Sequence, residues 1–73
     1  MALLIVNSEV TGSMWKILVA EGESVTEGQT LAIAESMKME IPLIATDDGK
    51  IAKIFIKEGD SIKEGDPVLT LDL

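Results

Sequence analysis

The chain repeats itself, and that constrains its fold more than any other feature. Displaced by 37 positions, Gly12–Leu31 aligns with Gly49–Val68. Eight of these twenty positions are identical: Gly12/Gly49, Lys16/Lys53, Ile17/Ile54, Glu21/Glu58, Gly22/Gly59, Ser24/Ser61, Glu27/Glu64 and Gly28/Gly65. Glu23/Asp60 and Val25/Ile62 are conservative. Each half reads as a glycine, a strand, then Glu-Gly-acidic-Ser-apolar-x-Glu-Gly, then another strand. A unit of 37 residues cannot close a core by itself. The two copies are therefore expected to face each other about a pseudo-two-fold axis.

Strand signals agree with the repeat. Ala2–Val6, Met14–Val19, Thr30–Glu35, Met39–Ile44, Ile51–Ile56 and Val68–Leu71 are short, rich in Val, Ile and Leu, and bounded by turn residues. Lys16 and Lys53 fall on the outward positions of two related strands. Gly22 and Gly59 each sit between two acidic residues, where a turn that needs positive φ places glycine. Asp47-Asp48-Gly49 reads as the best hairpin turn in the chain. No window carries a helical stripe of useful length. The expectation is an all-β flattened barrel or sandwich, one domain over residues 1–73, built from two quasi-equivalent halves.

Composition narrows the chemistry. With no Cys and no His, thiolate nucleophiles, disulfides, the usual zinc sites and imidazole acid–base catalysis are all excluded. The basic residues are six lysines, and against thirteen Asp and Glu they leave a net charge of −7. Such a field repels nucleic acid, so Trp15 and Phe55 read as packing residues and not as base-stacking platforms. It also discourages self-association, so the isolated chain is expected to be a monomer. No stretch approaches the ~18 apolar residues of a membrane span, and a cytoplasmic location is the expectation. Asp47-Asp48-Gly49 lacks the spaced oxygen ligands of a calcium loop. Ser24 and Ser61 have no base to activate them, and the pairs Glu27/Glu64 and Glu35/Glu40 read as solvated acids.

The informative stretch lies between the repeats. In Thr30–Ile44 the residues Leu31, Ile33, Met37, Met39, Ile41 and Leu43 all fall on odd numbers, as in one long half-buried strand. That reading makes Met37 and Met39 core residues and Lys38 a surface charge. A strand from Leu31 to Leu43 would be thirteen residues, beyond the usual 3–10. The repeat also maps Lys38 onto Met1, so the second half begins where the linking chain must turn. Symmetry thus predicts a tight hairpin at Met37-Lys38, although no Gly, Asn or Asp marks it. The lysine would stand at a tip, far from the chain ends, between two thioethers that have no reason to be there without a partner.

Glu35-Ser36-Met37-Lys38-Met39-Glu40 resembles the attachment motif of biotinyl domains, the biotin carboxyl carrier family, whose hallmark is Met-Lys-Met. Gly22–Gln29 and Gly59–Asp66 resemble that family's two Gly-acidic turns, and the likeness runs through essentially the whole chain. Small single-domain biotin/lipoyl attachment proteins are the nearest in kind. The resemblance implies a barrel-sandwich hybrid of two four-stranded antiparallel sheets, with the attachment lysine on a hairpin tip. It implies that a biotin protein ligase joins biotin covalently to Lys38, that the ligase reads Met37 and Met39, and that Glu35 is an acidic position beside the hairpin. It further implies a non-catalytic carrier that moves carboxyl groups between biotin carboxylase and carboxyltransferase partners. Ser36 stands where biotinyl domains usually carry Ala, and Glu35-Ser36 is shared with lipoyl hairpins. A lipoyl or dual carrier is therefore the alternative, and an unmodified β-barrel scaffold is the reading from another class. Strands reach almost to both ends with no linker composition, which favours a free carrier acting in trans.

Overall fold

Short apolar segments separated by turn glycines give eight strands, and no helix among the described residues, in the computed structural model, which describes residues 2–73. The strands are β1 (Leu3–Asn7), β2 (Gly12–Ile17), β3 (Ser24–Val25), β4 (Thr30–Ser36), β5 (Met39–Ile44), β6 (Gly49–Ile54), β7 (Ser61–Ile62) and β8 (Pro67–Asp72). One antiparallel sheet has the order β1-β8-β6-β3 and the other β5-β4-β2-β7. Displacement by 37 residues carries β1 onto β5, β2 onto β6, β3 onto β7 and β4 onto β8, so each sheet is the image of the other. The expected all-β pair of four-stranded sheets is what the chain forms. Met1, the counterpart of Lys38 in the repeat, lies outside the described residues.

The core is built from the same correspondence. Met14 and Ile51, Val25 and Ile62, Leu31 and Val68, Ala32 and Leu69, and Ala34 and Leu71 are buried pairs 37 positions apart. With two aromatics, both about half exposed, this aliphatic interior supplies the hydrophobic stabilisation. Polar side chains then join the halves. Glu21 Oε2 accepts a hydrogen bond from Ile54 N at 3.0 Å, and Glu58 Oε2 accepts one from Ile17 N at 3.0 Å. Gly22 and Gly59 adopt φ of 90° and 91°, as their sequence setting requires, and Gly28 and Gly65 do likewise.

Three sequence expectations are corrected. The two-residue strands β3 and β7 are too short to carry an apolar alternation, and sequence reading passes over them. Strands β2 and β6 begin two residues before the expected Met14 and Ile51, where Gly12 and Ser13 pair with β7 and Gly49 and Lys50 pair with β3, and they end at Ile17 and Ile54; bulges at Trp15 and Ala52 shift their register against β4 and β8. Asp47-Asp48-Gly49 is not a hairpin turn, since β5 and β6 belong to different sheets. Buried Ala45 exchanges backbone bonds with Gln29 and Gly28, which carries the chain from one sheet to the other. Asp48 Oδ1 then accepts from Glu27 N at 2.7 Å and fixes that corner.

Candidate functional site

Strands β4 and β5 meet in a two-residue hairpin whose last pair is Ser36 with Met39. Between them Met37 has φ of 52° and Lys38 has φ of 64°. Both lie in the left-handed region that a two-residue hairpin needs at both loop positions and that usually selects Asn-Gly. Holding two side-chain-bearing residues there costs roughly 1–2 kcal/mol each. These are the only non-glycine residues with positive φ among the described residues. Such strain persists where surrounding structure imposes it.

The hairpin also explains why alternation misleads here. From Ala32–Leu43 to Ser36–Met39 the partners in β4 and β5 have numbers summing to 75, so an inward even residue in β4 faces an inward odd one in β5. Buried Ala34 and Ala32 oppose Ile41 and Leu43. A bulge between Thr30 and Ala32 buries Leu31 as well, and an apparent odd-numbered stripe results. Met37 and Met39 are not core residues: they are 92% and 64% exposed, and Lys38 between them is exposed too.

Below the tip, exposed Glu35 and Glu40 are direct cross-strand partners, a like-charge pair that by itself weakens a sheet. Neighbouring chain braces this end. Ser36 Oγ donates to Thr11 O at 2.7 Å, and Thr11 Oγ1 accepts from Glu64 N at 3.1 Å. Gly12 lies so close to the Glu35 carbonyl that a Cβ there would overlap the oxygen. Sequence reasoning singled out Lys38, Met37, Met39 and Glu35, and the structure brings all four to this hairpin. It missed Thr11, Gly12 and Ser36 as the brace, although the Gly12/Gly49 identity was a usable signal: a Cβ on Gly49 would likewise stand 2.8 Å from Asp72 O.

The arrangement presents one primary amine on a braced, strained turn, with apolar sulfur side chains on either side and two carboxylates below. The family profile described as "Biotin-requiring enzyme" matches residues 5–71. The chain belongs to that biotin/lipoyl family. It is 43% identical over 66 residues to a biotin/lipoyl attachment protein of Bacillus subtilis, covering 90% of each chain. It is 37% identical over 60 residues to a biotin carboxyl carrier protein of Streptococcus mutans, covering 82% of this chain and 46% of that one. Its fold superposes on part of the urea carboxylase of Kluyveromyces lactis with a TM-score of 0.91 and 38% identity, over 99% of this chain and 6% of the larger one. Within the biotin/lipoyl family a resident group needs an amine that can form an amide and open space around it. An exposed lysine at a tip fits that requirement.

Proposed function

We propose that Lys38 is the attachment residue of this biotin carrier domain, acylated by a biotin protein ligase. The observation that carries this reading is the left-handed Met37-Lys38 turn, which holds the amine out from the sheets between exposed thioethers. The Lys38 amine, as the free base, attacks the carbonyl of biotinyl-adenylate. The C–O bond to AMP breaks, the amine loses a proton, and a stable amide forms. A cation is thereby lost, and the net charge goes from −7 to −8.

Bound biotin supplies a ring that carries a carboxyl group on a long tether. The chain's own residues anchor the base of that tether and leave its stem free. Tethering turns a bimolecular encounter into a local one at an effective concentration of order mM. Biotin carboxylase and carboxyltransferase are the partners between which such a carrier moves. Met37 and Met39 offer a flexible apolar surface for the ligase, and Glu35 with Glu40 adds a negative rung beneath it.

Intact mass after expression with a biotin ligase tests the assignment. The expected increment is about 226 Da, that of a biotinyl group attached with loss of water, and Lys38→Arg removes it. Glu35-Ser36 also matches lipoyl hairpins, and an increment of about 188 Da with a lipoate ligase would assign dual acceptance. Labelling that persists on another lysine in Lys38→Arg refutes the site.

A further inference from the structure

The repeat supplies an internal comparison for the chain beside the hairpin. Two connecting segments related by 37 positions, residues 8–11 and 45–48, are anchored in the same way. Ser8 N donates to Asp66 O and Gly65 N donates to Ser8 O, each at 2.8 Å. The counterpart bonds run from Ala45 N to Gln29 O at 2.9 Å and from Gly28 N to Ala45 O at 2.8 Å. Glu64 N then donates to Thr11 Oγ1 at 3.1 Å, as Glu27 N does to Asp48 Oδ1 at 2.7 Å. One side-chain oxygen thus ties a Gly-acidic turn to a connecting segment in each half.

The two halves differ in what that oxygen supports. Thr11 O accepts from Ser36 Oγ at 2.7 Å, and Ser36 closes the hairpin with Met39. The counterpart of Ser36 is Leu73, which has no hydroxyl to give. The hairpin needs support from outside. Met37 and Lys38 hold left-handed angles, and the rung beneath them sets Glu35 against Glu40, so both features oppose closure. The turn that anchors Thr11 is itself locked: Lys63 N donates to Asp66 Oδ2 at 2.9 Å, and Asp66 N donates to Lys63 O at 3.0 Å. Threonine accepts its bond without adding a carboxylate to the segment that packs on Glu35.

We propose that Thr11 is a positioning residue for acylation, holding the Met37-Lys38 turn, through Ser36, in the form that a biotin ligase accepts. The inference rests on Lys38 being the attachment residue. A tip that opens part of the time offers the ligase only its closed fraction, and apparent affinity falls with that fraction. The chemical step is untouched once the closed form is bound. Loss of the Thr11 hydroxyl should therefore raise KM for the carrier and leave kcat alone. Asp48 makes the equivalent bond in the other half but braces no hairpin, so it separates positioning from general stability.

Steady-state biotinylation of the full chain by a biotin ligase, with biotin and ATP, tests this. Thr11→Ala should raise KM for the carrier roughly fivefold, the equivalent of one hydrogen bond, at unchanged kcat. Thr11→Ser keeps the acceptor and should retain the wild-type KM. Asp48→Ala should lower the urea midpoint as Thr11→Ala does, yet leave KM unchanged. Because Thr11 acts through Ser36, Thr11→Ala combined with Ser36→Ala should raise KM no more than the larger single change. A wild-type KM in Thr11→Ala overturns the proposal, as does an equal rise in Asp48→Ala. Amide exchange at Ser36 and Met39, read without ligase, should quicken in Thr11→Ala and not in Asp48→Ala. Exchange that is unchanged in Thr11→Ala overturns the proposal even where the chain takes no biotin, an outcome that counts against the attachment reading alone.

Discussion

Met37 and Lys38 hold backbone angles that favour glycine, and neither is glycine. The turn would be more stable with Gly, so what keeps the thioether at position 37 lies outside folding. Met37→Gly in the unacylated chain should raise unfolding free energy by about 1 kcal/mol, measured in urea, through release of the left-handed strain. The same change removes an apolar side chain that is 92% exposed and available to a ligase. Loss of one contact of ~1–2 kcal/mol would lower kcat/KM for biotinylation roughly tenfold. Stability and acylation should therefore move in opposite directions. Both moving down together would mean that Met37 serves the fold.

At the scale of the hairpin, geometry depends on the brace from the β1–β2 connection. Ser36→Ala removes the bond to Thr11 O and should cost about 0.5–1.5 kcal/mol, with faster amide exchange confined to the β4–β5 tip. Gly12→Ala drives a methyl into the Glu35 carbonyl and should cost about 1–3 kcal/mol by denaturant unfolding. The hairpin was legible in the sequence from the repeat, from the excessive length of a single Leu31–Leu43 strand and from the family resemblance, though not from turn chemistry. Its own residues carry no turn signal, because Met37 and Lys38 violate the preference that such signals record. Asp47-Asp48-Gly49 shows the reverse error. Its local chemistry announces a hairpin, but a long-range bond from Glu27 N makes it a corner between sheets. Two-residue strands such as β3 and β7 offer no periodicity to read, and their pairing follows from the turns that flank them.

Across the whole molecule, the acidic residues have two roles that experiment can separate. Glu21 and Glu58 each accept from a backbone N–H in the opposite half, so Glu21→Ala and Glu58→Ala should destabilise by similar amounts, about 0.5–1.5 kcal/mol each, in urea unfolding. Unequal losses would show that the two-fold equivalence of the backbone does not extend to its energetics. The net charge of −7 acts at longer range. Partners with basic docking surfaces are drawn to such a field, and the attraction is screened beyond about 8 Å at physiological salt. Stopped-flow association with the biotin ligase should slow by roughly tenfold or more between about 0.02 and 0.5 M salt, with dissociation little changed. The Met37→Gly loss should be the same at both salt concentrations, because it removes an apolar contact formed only after encounter. An association rate indifferent to salt would mean that the hairpin is found without help from the charge on the rest of the molecule.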